Sequence, residues 1–157
     1  MRQRVTLYKG YHSIEALTEF QKAWDQNELI LFCPPKMTDF SFIDLLPQGE
    51  LQLKGELWSS EEQRRWNNYA INSSANYEEE PVSGVFTSGT SESQKLVLYS
   101  KANIETSVSG IYKLFENPFK KVFCYPQPFH TFGLTLGYGA SVVLGSEVLF
   151  AKGKYSR

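Results

Sequence analysis

The chain has 157 residues, of which 41% are hydrophobic and 21% are charged. A chain of this length corresponds to one domain that buries about 70% of its unfolded surface, so the composition excludes a wholly disordered protein. Sixteen basic and seventeen acidic residues give a formal net charge of −1, which argues against a dedicated nucleic-acid-binding protein and against a polybasic membrane-binding protein.

The first predicted elements are a capped helix and a buried strand. Ser13 is placed to cap a helix over residues 14–26, in which apolar residues recur at three-to-four spacing. An apolar run over residues 29–33 predicts a buried strand, which Pro34 and Pro35 bring to an end.

The next elements are predicted from weaker patterns. A short helix is expected over residues 38–46, and the weak alternation of residues 47–57 is compatible with one edge strand. Ser59 and Glu62 form a capping-box pattern, which predicts a helix from residue 60 to about 71.

Residues 72–81 are polar and acidic and are interpreted as a linker or loop. They separate an N-terminal α/β segment, 1–81, from a second segment, 82–157, and we expect both to belong to one incomplete domain. The residue pattern of the second segment predicts strands that alternate with helices. The strands are expected over 82–86, 95–99, 121–125 and 147–151, and the helices over 100–115 and 131–144. This alternation indicates an α/β fold, a layered sheet with flanking helices.

The cysteines, the N-terminus and the longest uncharged run indicate the cellular compartment of the protein. Cys33 and Cys124 each end an apolar run without a Cys-x-x-Cys partner, so we interpret both as buried thiols. No apolar stretch follows the charged N-terminus, so no signal peptide is expected. The longest run without a charged residue, 122–146, is broken by glycine, proline and histidine, which argues against a membrane helix. The sequence therefore predicts a cytoplasmic protein with no membrane partner.

The loop over residues 87–94 reads TSGTSESQ and is followed by Lys95. Hydroxyls and backbone amides in such a loop can donate to phosphate oxygens, and a nearby lysine adds positive charge. The loop is not a Walker A motif, a Rossmann fingerprint or a nucleophile elbow, because it lacks the required spacings. On composition alone, an ordinary polar hairpin loop remains the alternative.

Two motifs resemble those of the adenylate-forming superfamily, which includes acyl- and aryl-CoA synthetases, nonribosomal adenylation domains and luciferases. The family's phosphate-binding loop typically reads aromatic-Thr-Ser-Gly-Thr-Thr-Gly-x-Pro-Lys-Gly-Val, and residues 86–97 resemble it. A Ser-His-x-Asn-Leu-like helix start follows in the family, where this chain has SKANI at 100–104. The segment YPQPFHTFG at 125–133 resembles the family's Pro-x-x-His-x-x-Gly segment. The resemblance covers residues 82 to about 151 and implies the leading part of an adenylate-forming N-terminal domain.

The resemblance also implies an activity. In the family, a carboxylate attacks the α-phosphate of ATP to give an acyl-adenylate, and the acyl group then passes to a thiol such as CoA. The implied cofactors are ATP and Mg²⁺, with CoA as cosubstrate and a carboxylic acid as substrate. The short region before the loop resembles compact members of the o-succinylbenzoate-CoA ligase kind.

The family's later landmarks do not occur in this sequence: the Gly-Tyr-Gly-x-Thr-Glu segment, the ribose-binding aspartate and the C-terminal-domain lysine. We therefore expect an N-terminal fragment that is inactive alone and whose partner is the remainder of the enzyme or a second copy. The alternative is a non-catalytic, degenerate module that binds a nucleotide or an acyl ligand and acts through a protein partner. An unrelated α/β protein with a chance match is a third interpretation.

Matched position by position, the resemblance implies a set of residues that hold the phosphates of ATP: Thr87, Ser88, Gly89, Thr90 and Ser91. Lys95 would order the loop and contribute to catalysis, and its alternative role is that of a strand-edge lysine in solvent. Glu92 and Gln94 depart from the family's glycine and proline. A glutamate beside a triphosphate is repulsive, so Glu92 is expected to weaken ATP binding.

The second motif implies an acyl-binding region. His130 would lie at the mouth of the acyl pocket as a catalytic and substrate-binding residue, and its alternative role is to cap the following helix through its side chain. Phe129, Phe132 and Gly133 would lie near the substrate. His12 has no such context and is expected at the surface, and no metal ligands are expected among the protein side chains.

Overall fold

The structure is a computed structural model that describes residues 3–87, 94–115 and 119–151. Two short helical segments are not α-helices: a 3₁₀ helix over Ser41–Leu45 and a π-helix over Gly133–Tyr138. The remaining elements are, in chain order, β1 (Gln3–Lys9), α1 (Ile14–Gln26), β2 (Leu29–Cys33), β3 (Gly49–Lys54), α2 (Ser60–Trp66), β4 (Ala70–Ile71), β5 (Pro81–Phe86), β6 (Leu96–Ser100), α3 (Lys101–Tyr112), β7 (Lys121–Cys124), α4 (Gly139–Val143) and β8 (Glu147–Phe150).

The N-terminal half forms a four-stranded sheet in the order β2-β1-β3-β4. Strand β1 runs parallel to both β2 and β3, whereas β4 pairs antiparallel with β3. The sequence pattern does not predict β1, because charged and polar residues interrupt its apolar ones. The expectation of an edge strand in 47–57 is wrong in its placement, since β3 lies between β1 and β4.

Strand β2 of the four-stranded sheet is buried on both faces. Ile30 and Phe32 of β2 belong to a hydrophobic cluster that also contains the apolar side of α1. Leu29 and Leu31 belong to a second cluster, which contains the 3₁₀-helix residue Ile43. Successive side chains of a strand point to opposite faces, so a strand covered on both sides is apolar throughout. This explains the unbroken apolar run that predicts β2.

Several predicted helices differ from the observed ones. The short helix expected over 38–46 is the 3₁₀ helix over Ser41–Leu45, and the helix expected over 100–115 is α3, which ends at Tyr112. The helix expected over 60–71 ends at Trp66, because Asn68 adopts a left-handed backbone conformation with φ of 63° and its N–H donates to the Leu51 carbonyl at 2.9 Å. Pairing with β3 therefore replaces the last helical turn. The helix expected over 131–144 is divided between the π-helix and α4.

A buried ion pair closes the carboxyl end of β1. The Lys9 side chain is 5% exposed, and its ammonium donates to the Glu62 carboxylate at 2.8 Å and to the Met37 carbonyl at 3.0 Å. It also lies 5.6 Å from the centre of the Phe40 ring and 5.1 Å from that of Trp58. Burial raises the pKa of Glu62, but the hydrogen bonds from Lys9 and from the Ser59 backbone outweigh this effect and leave that pKa below its usual value.

Among the described residues, no helix combines the length and the apolar character needed to cross a bilayer.

Candidate functional site

The phosphate-loop motif lies on a hairpin that is anchored to the central sheet. All of β5 is buried, and the Ser83 hydroxyl donates to the Ile30 carbonyl of β2 at 2.7 Å. A side chain at Gly84 would approach the Val97 carbonyl oxygen to 2.6 Å and the Leu31 side chain to 3.1 Å. Glycine is therefore required where the hairpin packs between β6 and β2. The base of the loop is consequently held by the core of the protein.

Thr87 and Lys95 close the hairpin at the point where the loop begins and ends. The Thr87 N–H donates to the Lys95 carbonyl at 2.8 Å, and the Lys95 N–H donates to the Thr87 hydroxyl oxygen at 3.2 Å. A threonine hydroxyl that accepts one hydrogen bond still has its own O–H to donate. The pair thus holds the two ends of the loop together, and the Thr87 O–H has no acceptor among the described residues.

The Lys95 side chain is exposed, and its ammonium forms no ion pair with a described residue. This observation is compatible with both of its predicted roles, the phosphate-binding one and that of a strand-edge lysine. Ser88, Gly89, Thr90, Ser91 and Glu92 lie outside the described residues, so their predicted roles stay predictions. The Thr87 O–H and the Lys95 ammonium, neither with a partner among the described residues, fit the oxygens of a polyphosphate.

The histidine motif follows β7 and leads into the π-helix. The His130 N–H donates to the Gln127 carbonyl at 3.0 Å, and the His130 carbonyl accepts from the Leu134 N–H at 2.9 Å. The imidazole is exposed, packs against the Phe129 ring with a centroid distance of 4.9 Å and forms no hydrogen bond with a described residue. The alternative prediction, that the His130 side chain caps the helix, is therefore wrong for the described structure, because the backbone makes this connection.

Gly133 has a packing role in the described structure. A Cβ atom there would collide with the backbone carbonyls of Gln127 and Pro126. One turn further on, a Cβ at Gly137 would collide with the sulfur of Cys124, which donates to the Pro126 carbonyl at 3.3 Å. Burial raises the pKa of Cys124 to about 11, so this thiol stays protonated and structural.

The two phenylalanines of the motif have different surroundings. Phe129 is half-buried and packs against the cluster that contains α1. Phe132 is 67% exposed. Their common role near a substrate stays a prediction.

His12 is half-buried, so the expectation that it lies at the surface is met only in part. Its backbone N–H donates to the Gln127 side-chain oxygen at 2.7 Å, and its Nε2 lies 3.3 Å from the Ala151 carbonyl oxygen. The imidazole packs on the Phe150 ring with a centroid distance of 5.0 Å, and its Nδ1 is buried without a partner. A carbonyl only accepts, so Nε2 carries the proton. Gln127 and His12 thereby connect the loop after β1 to the histidine motif, a connection that the sequence pattern does not reveal.

The described residues offer no ready-made protein site for a metal ion. Within residues 3–87, 94–115 and 119–151, no three His, Cys, Asp or Glu side chains are grouped so as to hold one.

Solved structures of other proteins share the fold of this chain. No protein-family model matches the chain, and no curated protein matches it. Among solved structures, o-succinylbenzoate CoA synthetase from Bacillus subtilis in complex with its acyl-adenylate intermediate aligns with a TM-score of 0.75 and 15% identity, over 99% of this chain and 45% of that chain.

Two further solved structures extend the comparison. ATP-bound MatB from Rhodopseudomonas palustris aligns with a TM-score of 0.63 and 13% identity, over 99% of this chain and 36% of that chain. The Vibrio cholerae adenylation domain AlmE in complex with glycyl-adenosine-5'-phosphate aligns with a TM-score of 0.64 and 14% identity, over 95% of this chain and 36% of that chain.

These solved structures are adenylate-forming enzymes, and the predicted α/β fold is confirmed. The chain has a mixed α/β fold with flanking helices that matches the N-terminal domain of such enzymes. It spans between 35% and 45% of the length of the solved chains it matches.

Proposed function

We propose that this chain is the leading part of an ATP-dependent acid–thiol ligase, an acyl- or aryl-CoA synthetase that activates a carboxylic acid as its acyl-adenylate. The observation that carries the proposal is the Thr87–Lys95 pair, which closes a hydroxyl- and glycine-rich loop at the end of a buried strand. A fold shared with ATP-bound and acyl-adenylate-bound structures supports it.

In this proposal the loop binds the triphosphate of ATP. The Thr87 O–H donates to a phosphate oxygen together with Ser88, Gly89, Thr90 and Ser91. The Lys95 ammonium adds positive charge at the base of the loop. Mg²⁺ bound to the triphosphate supplies charge neutralisation when present.

The histidine motif forms the proposed acyl-binding side of the site. His130 presents an exposed imidazole beside Phe129, and Gly133 keeps the preceding loop close to the π-helix. Phe132 would contact the acyl group from its exposed position. The acyl group would pass to CoA in the second half-reaction, in the cytoplasm.

The finer proposal for the acid is o-succinylbenzoate. It is supported by TM-scores of 0.71 to 0.75 for the o-succinylbenzoate CoA synthetase structures, against 0.62 to 0.64 for the other enzymes compared. Binding of o-succinylbenzoyl adenylate and glycyl adenylate to this chain tests it. Tighter binding of the first supports the proposal, and equal binding counts against it.

We further propose that segments 1–81 and 82–157 belong to one incomplete domain, which the remainder of a ligase completes. The cluster containing α1 supports this, because it includes Phe20 and Phe32 from the first segment and Ile104, Tyr138 and Val148 from the second. Carboxylate-dependent exchange between pyrophosphate and ATP measures complete adenylation. The chain alone is expected to show none, and exchange above background would contradict this part of the proposal.

Calorimetric titration with Mg-ATP tests the nucleotide site. We expect the unmodified chain to bind and a Thr87→Ala, Ser88→Ala variant to bind at least about tenfold more weakly, since two donors are lost. Thr18→Ala is a matched control, because its hydroxyl only donates to the Ile14 carbonyl on the exposed side of α1. If the unmodified chain, the double variant and Thr18→Ala bind Mg-ATP with equal affinity, the loop has no role in nucleotide binding.

The degenerate, non-catalytic module is the second candidate, and the acidic Glu92 within the loop favours it. Glu92→Gly tests whether the loop has lost its nucleotide site, because the substitution removes the expected repulsion of a triphosphate. A chain that binds Mg-ATP only after this substitution is a degenerate module that does not use the nucleotide. A chain that already binds Mg-ATP supports a nucleotide site, which both the ligase part and a nucleotide-binding module would have.

A further inference from the structure

The segment that presents His130 is a tight turn over residues 127–130. The His130 N–H donates to the Gln127 carbonyl at 3.0 Å, which is the closing hydrogen bond of a β-turn. Pro128, at the second position, is buried, and its ring restricts φ to about −65°. Phe129, at the third position, is half-buried and packs against the cluster that contains α1. The turn therefore buries its middle residues and leaves the imidazole of its last residue exposed.

Gln127, the first residue of this turn, is bound through its side chain to a distant part of the chain. Its side-chain oxygen accepts the His12 N–H at 2.7 Å. His12 follows β1 and lies one residue before Ser13, the cap of α1. The His12 imidazole packs on the Phe150 ring at 5.0 Å between centroids, and its Nε2 lies 3.3 Å from the Ala151 carbonyl oxygen. The start of the turn is thus connected to a part of the chain that β1, α1 and β8 hold in place.

The other end of the turn is held by backbone contacts with the π-helix. The His130 carbonyl accepts the Leu134 N–H at 2.9 Å. Gly133 lies so close to the turn that a Cβ there would be 2.1 Å from the Gln127 carbonyl oxygen. These contacts hold the turn against the π-helix but do not reach the loop after β1. The Gln127 side chain supplies that second connection.

We infer that Gln127 is a positioning residue, which sets the direction in which His130 presents its imidazole to the acyl group. This inference rests on the proposed function, in which His130 lies on the acyl-binding side of the site. The imidazole forms no hydrogen bond with a described residue, so its direction depends on the turn that carries it and on its contact with the Phe129 ring. A side chain on a fixed turn binds a ligand at a lower entropic cost than one on a mobile turn.

Four variants test this role. Gln127→Ala and Gln127→Met both remove the acceptor of the His12 N–H, and methionine keeps the length of the side chain. Gln127→Glu retains an acceptor oxygen and is expected to behave like the unmodified chain. Gln63→Ala is the matched control, because it removes a glutamine side-chain hydrogen bond of 3.3 Å to the Trp58 carbonyl in α2. Far-UV circular dichroism shows that each variant is folded, and Gln127→Met serves alone if Gln127→Ala unfolds.

The ring resonances of His130 report its position directly. The chain has two histidines, so the signals of His130 in ¹H–¹³C spectra are assigned by their disappearance in His130→Gln. We expect these resonances to shift or broaden in Gln127→Ala and Gln127→Met, and to stay unchanged in Gln127→Glu and Gln63→Ala. Unchanged resonances in Gln127→Met would overturn the inference, because the acceptor would then be unnecessary. Equal changes in Gln127→Met and Gln127→Glu would overturn it as well.

Calorimetric titration with o-succinylbenzoyl adenylate measures the effect on a ligand. Its affinity is expected to fall at least about fivefold in Gln127→Met and to be recovered in Gln127→Glu. The affinity for Mg-ATP at the phosphate loop is expected to stay within about twofold. An equal fall in both affinities, or an unchanged affinity for the adenylate, would overturn the positioning role. If the unmodified chain binds no adenylate, the proposed acyl-binding side fails, and the ring resonances still decide whether Gln127 positions His130.

Discussion

The backbone N–H of Lys95 donates to the hydroxyl oxygen of Thr87 at 3.2 Å, while the N–H of Thr87 donates to the carbonyl of Lys95 at 2.8 Å. One residue pair therefore closes the loop through both a backbone and a side-chain contact. The threonine side chain contributes to the structure of the hairpin as well as to its proposed chemistry.

This dual role predicts different effects of two substitutions at residue 87. Thr87→Val keeps the shape but removes the acceptor of the Lys95 N–H, so the free energy of unfolding is expected to fall by about 1 kcal/mol. Thr87→Ser keeps the hydroxyl, so its free energy of unfolding is expected to fall by less than half of the amount lost in Thr87→Val. Urea denaturation measures both. If valine and serine are equally tolerated, the hydroxyl has no part in closing the hairpin.

Two glycine-to-alanine substitutions are expected to act in opposite directions. Gly133→Ala forces a Cβ against the Gln127 carbonyl, and this backbone collision should cost about 1–3 kcal/mol of stability. Gly110→Ala adds a methyl group within α3 where no atom lies within 4 Å, and it should stabilise by about 0.5–1 kcal/mol. Thermal unfolding compares the pair, and a stabilising Gly133→Ala would show that the loop is free to move away.

The Lys9–Glu62 pair predicts an asymmetric response to the loss of either partner. Glu62→Gln leaves the Lys9 ammonium, on a side chain that is 5% exposed, without its counter-charge. Lys9→Met leaves the Glu62 carboxylate, on a side chain that is 18% exposed, at a helix start. A buried unpaired charge is strongly destabilising, so Glu62→Gln should cost about 2–3 kcal/mol and Lys9→Met clearly less. Chemical denaturation at neutral pH measures both values. The reverse order would contradict this account of the pair.

The same pair predicts a component of acid unfolding. The pKa of Glu62 in the folded chain lies below its ordinary value of 4.5, so the ionised carboxylate stabilises the fold. This contribution to the free energy of unfolding is fully present above pH 4.5. This contribution is lost as the pH falls through the lowered pKa, so Glu62→Gln should lose less stability than the unmodified chain between about pH 5 and about pH 3. Glu61→Gln, at an exposed neighbouring position of α2, is the control and should follow the unmodified chain.

The Gln127 side chain should protect the His12 amide from hydrogen exchange. Gln127→Ala removes the acceptor of the His12 N–H, so exchange at His12 is expected to accelerate at least about tenfold. Gln127→Glu retains an acceptor oxygen and serves as the control. Unchanged exchange in Gln127→Ala would mean that another group protects this amide.

Local signals explain which elements the sequence predicts well. Helix α1 has the expected bounds, because Ser13 caps its start and Asn27, with φ of 55°, ends it. The capping box predicted at Ser59 is likewise a local pattern and is present, and the helix predicted to start at residue 100 is capped by Ser100. The loop and histidine motifs lie in the expected strand and helix context.

Contacts distant in sequence explain what the sequence does not predict. Strand β1 is stabilised by parallel pairing on both sides. Its last residue, Lys9, forms an ion pair with Glu62, which lies 53 residues further along the chain. The contact of His12 with Gln127 joins residues 115 positions apart. No local pattern encodes such pairings, so a polar histidine near the N-terminus is indistinguishable from a surface residue.

The most direct test of the proposed nucleotide site follows backbone amide resonances of the ¹⁵N-labelled chain during titration with Mg-ATP. The account predicts that the largest chemical-shift changes occur at Thr87 and Lys95, and that His12 and the α1 amides stay unchanged. It also predicts that these shifts disappear in the Thr87→Ala, Ser88→Ala variant. Shifts confined to other parts of the chain, or none at all, would contradict a phosphate-binding role for this loop.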